Sequence, residues 1–242
     1  MELEWDASVA ESYTSGQTVN SLVSSPDSGE TSASHGWFLG ADGDASTDDP
    51  TFNVNTFDLD GGDFFTTVTS GNNTWMQTMH YSTNPVTYIM IYDIGGTISG
   101  NRFFTNGVAF STGGTDIGER TDGNLDVFQD SGGTTFDYEA DTNMTTTSTN
   151  ILIVSMDGPN STVKTWHNST TSITATSQSF DTTNTDASTT SATVAARSGG
   201  SKILAAGHSY RLFALRNKAT TDAEAALIIT HLEARHSVDY TP

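Results

Sequence analysis

This chain must turn often, and that limits it more than any other feature. Short apolar and β-branched runs recur along it, and most stop at a Gly, Asn or Asp pair such as Gly61-Gly62 or Gly113-Gly114. Such pairs suit the tight reversals that join neighbouring antiparallel strands. The predicted strands are 52–59, 64–69, 75–81, 87–94, 102–110, 125–129, 134–138, 151–156, 163–168 and 202–204. Strands this short and numerous predict an all-β chain folded as a two-sheet sandwich. The 41 Thr and 28 Ser agree, because a branched Thr loses little freedom on a pleated surface. Only 34% of residues are hydrophobic, but twelve Phe, seven Tyr and four Trp can fill a core, so the chain is expected to fold.

The last residues break the pattern. Thr221 followed by Glu224 reads as a capping box, and Asp222 adds negative charge where a helix dipole favours it. A helix over about 221–236 is therefore predicted, with Ala223, Ala226, Leu227, Ile228 and Leu232 on its apolar face. Residues 1–50 read as a loop-rich segment with one or two strands, near 19–23 and 36–40, belonging to the same domain as the sandwich at 51–242. The Ser/Thr-rich piece 170–193 reads as a long loop or a poorly covered edge.

The charge is −20, from 29 acidic and nine basic residues. Residues 1–160 hold 23 acidic and two basic residues, whereas 161–242 hold six and seven, so the excess lies in the first two thirds. A polyanionic surface repels phosphate backbones and anionic lipid, which argues against nucleic-acid and membrane partners. The absence of cysteine excludes disulfides and thiolate metal sites. No basic start with an apolar stretch stands at the N-terminus and no run is long enough to span a bilayer, so neither signal peptide nor transmembrane segment is expected.

Several segments together resemble the concanavalin A-like lectin/glucanase superfamily, most of all the laminin-G-like modules of bacterial and phage proteins. They are Phe57-Asp58-Leu59-Asp60-Gly61-Gly62-Asp63-Phe64, the run Tyr88-Ile89-Met90-Ile91-Tyr92, Lys164-Thr165-Trp166-His167-Asn168-Ser169, and the ending Ala219-Thr220-Thr221-Asp222-Ala223-Glu224. Ser169 stands where that family usually has Gly. The resemblance implies a jelly-roll sandwich with ligand sites on rim loops. It also implies one of three roles: a sugar-binding lectin or adhesin, often with calcium; a glucanase; or a virion building block.

The residues themselves bear on that choice. Retaining glycosidases need two carboxylates about 5 Å apart. No Glu-x-Asp-x-Glu strand is present, and Glu119 and Glu139 stand in unsuitable company, so no enzyme is expected. His231 and His236, five apart, point about 140° from each other on a helix and do not suit a shared metal. Calcium is the cofactor considered, because Asp42 with Asp44, Asp58 with Asp60 and Asp63, and Asp122 with Asn124 and Asp126 each gather oxygen ligands in one turn. Sugar stacking needs an exposed ring beside polar groups, for which Trp166, with His167 and Asn168, Trp37 and Trp75 are the candidates. A core position competes for each Trp.

The expectation is a non-enzymatic phage virion structural protein, a capsid decoration or tail component. It would contact other virion proteins and copies of itself, and be assembled in the host cytoplasm. The alternative is a carbohydrate-binding adhesin or lectin for cell-surface glycans, with a polysaccharide hydrolase behind it.

Overall fold

The computed structural model describes residues 1–23, 36–67, 74–95, 102–107, 113–120, 122–131, 134–140, 144, 149–173, 175–179, 183–188, 190–197, 204 and 206–241. Through them run β1 (Leu3–Asp6), β2 (Thr18–Val19), β3 (Trp37–Leu39), β4 (Thr51–Asn53), β5 (Thr56–Leu59), β6 (Phe65–Thr67) and α1 (Thr74–Thr78). There follow β7 (Pro85–Asp93), β8 (Arg102–Thr105), β9 (Gly114–Glu119), β10 (Leu125–Ser131), β11 (Thr134–Ala140), β12 (Thr149–Asp157) and β13 (Thr162–His167). The chain ends with β14 (Ala175–Gln178), β15 (Thr193–Val194), β16 (His208–Arg216) and α2 (Asp222–His236).

The described strands form two antiparallel sheets, as the turn-rich sequence predicts. The first is ordered β13-β12-β7-β16-β5-β4, with β1 joined to β16, and the second β14-β11-β10-β9-β8-β15-β6-β3-β2. Their inner faces share one aromatic core, where Trp5, Phe57, Phe65, Phe104 and Phe213 are fully buried. A side chain of this size removed from water stabilises the fold by roughly 1.5–3 kcal/mol.

The central strand β7 shows how the layers arise. Val86, Tyr88, Met90 and Tyr92 point into the sandwich, while Ile89 and Ile91 point outward into a second apolar cluster with Trp166, Leu212 and α2. A strand covered on both faces reads as a continuous apolar run, which accounts for Tyr88-Ile89-Met90-Ile91-Tyr92.

Helix α2 begins at the predicted capping box: Thr221 Oγ1 accepts from the Glu224 amide, and the Glu224 carboxylate accepts from the Thr221 amide at 3.0 Å. Its buried residues are Ala225, Ile229 and Leu232; of the predicted face, Leu232 is buried and Ile228 packs against the same cluster, but Ala223 is exposed and Leu227 is 71% exposed. The predicted stripe is partly out of phase because alanines surround the start of the helix and fit either side.

Other expectations need correction. Residues 75–81 are not a strand: Met76, Met79 and His80 are buried at helical spacing, and the segment opens with α1. Residues 52–59 are two strands, β4 and β5, reversing at Val54, whose φ is 59°. Strand β1 carried no turn or apolar-run signal, yet it pairs Leu3 with Leu215 and Trp5 with Phe213. The predicted strand 202–204 lies outside the described residues except for Leu204, which is not in a strand.

Candidate functional site

The tryptophans put forward for sugar stacking serve the core. Trp37 is fully buried, its ring 5.6 Å from Phe213 and close to perpendicular to it. Trp166 is fully buried between the first sheet and α2, and its indole N–H donates to Asp222 Oδ1 at 3.1 Å. Trp75 is half-buried and packs against the core. His167 is buried, its Nε2 3.4 Å from the Tyr92 hydroxyl, and burial pushes its pKa down to about 4. Asn168 is left-handed at φ 49°; its side chain accepts from the Ile151 amide at 2.9 Å and donates to Asn150 at 2.7 Å. The 166–168 segment thus ends β13 at the open end of its pairing with β12 rather than offering a ring to a ligand.

The acidic groups do not converge as calcium binding would require. Asp44 donates its amide to Asp42 Oδ1 at 2.8 Å, in an exposed turn. Asp58 accepts from Asn53 and Thr56, each at 2.9 Å, across the β4–β5 hairpin. Asp60 and Asp63 do meet, the Asp60 amide donating to Asp63 Oδ2 at 2.9 Å. Asp63 is buried with no hydrogen-bond partner for Oδ1, and its pKa is pushed up to about 7 by burial and by Asp60 and Asp49. Asp122 accepts from the Asn124 amide and pairs with Arg120, whereas Asp126 sits on β10. Among the described residues no group of three or more His, Asp or Glu is arranged to hold a metal ion.

The outer face of the second sheet does bring charged and aromatic side chains together. Strand alternation sends Ile117, Val127 and Tyr138 inward, so Asp116, Phe128, Asp126 and Glu139 point outward. Register then draws one row across the sheet: Phe38, Thr66, Thr193, Thr105, Asp116 and Phe128. A parallel row holds Arg102, Gly118, Asp126 and Glu139.

Asp116, 1% exposed, organises the two rows. Arg102 Nε lies 2.6 Å from its Oδ1, to which Thr105 also donates at 3.2 Å. Arg197 donates to Oδ2 through Nε at 3.0 Å and Nη2 at 2.8 Å. The Arg102 guanidinium also stands 5.4 Å over the half-buried Phe128 ring. At the edge of this patch Arg120 pairs with Glu139 and, at 3.5 Å, with Asp122. The result is an aromatic ring framed by carboxylates and guanidinium groups on a rigid sheet. Such a frame can stack on an apolar ligand face and exchange hydrogen bonds with hydroxyls. Of these residues, Asp122 and Asp126 were singled out from the sequence as calcium ligands and Glu139 as a carboxylate weighed for catalysis, each for another purpose.

No protein-family model matches the sequence, and no curated protein is significantly similar to it. Solved structures are similar in fold. The botulinum neurotoxin serotype D binding domain matches over 93% of this chain and 50% of its own, at 10% identity and TM-score 0.59. The CBM40 of Ruminococcus gnavus IT-sialidase, solved bound to α2,3 sialyllactose, matches over 71% of this chain and 95% of its own, at 12% identity and TM-score 0.50. NanB sialidase from Streptococcus pneumoniae aligns at 19% identity and TM-score 0.46. That alignment covers 60% of this chain but only 24% of the sialidase. Identities this low bear on the fold alone, a β-sandwich of two antiparallel sheets.

Proposed function

We propose that this chain is a non-enzymatic carbohydrate-binding module whose ligand lies on the outer face of the second sheet, against Phe128. The observation that carries the reading is the Phe128 ring, half-buried between the Arg102–Asp116–Arg197 cluster and the acidic row of Asp126 and Glu139. A sugar offers a C–H face for the ring and hydroxyls for the part-exposed Glu139 carboxylate. The similarity to a sialidase CBM40 and to a toxin binding domain supports the same class of role.

A glycan array with purified protein tests it. Phe128→Ala is expected to weaken binding at least ~10-fold, the equivalent of ~1.4 kcal/mol. Undiminished binding by that variant would move the site elsewhere.

A second reading keeps the module as part of a phage particle, capsid or tail, beside other virion proteins or copies of itself. It is favoured by an apolar groove of about 280 Å³ beside α2, lined by Ile89, Leu212, Ala214, Leu227, Ile228 and Leu232, which a neighbouring subunit could cover. A symmetric oligomer in native mass spectrometry would speak for it, and glycan binding on a particle is compatible with both readings.

A further inference from the structure

Resting on the carbohydrate reading, we infer that this face selects neutral glycans and rejects those bearing carboxylate or sulfate. The argument is one of free charge. An acidic sugar is ordinarily held by a guanidinium or ammonium able to turn toward it. Here all three arginines of the patch are already committed to the protein's own carboxylates. Arg102 and Arg197 both hold Asp116. Arg120 holds Glu139 and Asp122. Drawing either of the first two away would leave a carboxylate that is 1% exposed without one of its two cations, an expensive loss in a buried place.

The same holds across the molecule. Each of the eight described Lys and Arg side chains lies within 4 Å of a carboxylate: besides these three, Lys164 with Asp222, Arg211 with Asp93, Arg216 and Lys218 with Glu224, and Arg235 with Glu4 and Asp6. Among the described residues there is thus no cationic reserve to draw an anion in, and with a net charge of −20 the surrounding field opposes its approach. A neutral sugar meets neither obstacle. It needs only an acceptor for its hydroxyls, which the part-exposed Glu139 carboxylate offers, and a ring to cover, which the half-buried Phe128 offers. In this respect the face departs from the similarly folded CBM40 that was solved with a sialylated sugar bound.

The test is an array on which each neutral glycan is printed beside its sialylated and sulfated forms, with lactose and α2,3-sialyllactose as the pair measured again in solution. Neutral forms are expected to bind at least ~10-fold more tightly than their acidic counterparts, with little change between about 0.05 and 0.5 M salt. Acidic forms that bind better, with affinity falling as salt rises, would overturn the charge selection while sustaining the carbohydrate reading. A blank array would overturn both.

Freeing Arg120 gives an independent check at the edge of the patch. In the Asp122→Asn, Glu139→Gln double variant the ratio of acidic to neutral binding is expected to rise at least ~3-fold. An unchanged ratio would show that arginine occupancy does not set the preference.

Discussion

At Glu119 the surroundings and the charge disagree most. The side chain points into the sandwich in the row of Leu125 and Ala140, 1% exposed, with neither carboxylate oxygen hydrogen-bonded. Burial, and secondarily the charge of Asp122, push its pKa up from 4.5 to about 7. The folded state therefore holds this proton more tightly than the unfolded chain. The associated stability is fully present below pH ~4.5 and is lost as pH rises through about 7. Glu119→Gln keeps the shape and removes the ionisation. Its melting temperature should match the parent at pH 5 and exceed it by about 5 °C at pH 8.5. Scanning calorimetry at both pH values checks this, and an equal difference at the two would rule out titration of Glu119 as the cause. Two faces of this residue were visible from sequence, its carboxylate and its neighbour Arg120. Its inward direction was not, because direction depends on which residues β9 pairs with.

Among the elements, α2 shows what local sequence does and does not determine. Its start is a purely local matter of a hydroxyl, two amides and a carboxylate, so Thr221 and Glu224 announced it correctly. Which side it buries depends on the sheet beneath, and Ala225, Ile229 and Leu232 won over the alanine-flanked alternative once Trp166 and Ile153 lay against them. Thr221→Ala removes the acceptor for the Glu224 amide and should cost about 1 kcal/mol, read as a lower urea midpoint with unchanged slope. A loss below about 0.3 kcal/mol would mean that packing alone holds the helix end. Residues 75–81 failed for a related reason. Trp75, Met76, Met79 and His80 satisfy a crude apolar count, and only the spacing of the buried members distinguishes a helical turn from a strand.

For the molecule as a whole, the fold class was legible because frequent turns and aromatic runs leave little alternative to a sandwich. The face proposed to bind a glycan was not. Phe128, Arg102, Asp116 and Arg197 come from β10, β8, β9 and the stretch after β15, and no sequence interval links them. Opposed shifts also predict the pH range of the whole fold. Burial pushes Asp6 up, but hydrogen bonds from His236 and Ser8 overcome it and hold its pKa at about 2; Lys218 and the Thr221 amide hold Glu224 at about 2. Stability from those two is complete above their unfolded values and fades as pH falls toward 2, whereas that from Glu119 and Asp63 fades as pH rises through about 7. Melting temperature should therefore peak between pH ~4.5 and ~7, and a maximum above pH 8 would contradict these assignments. The pairing of β1 with β16 has a further consequence, for the order of events during synthesis. β1 meets its partner more than 200 residues further along the chain, where Leu3 aligns with Leu215, and Asp6 receives Arg235 and His236 only once α2 has been made. Trp5 stays unsheltered by β16 until that strand exists, so this part of the sandwich closes in a long-range step, with the slow kinetics of high contact order.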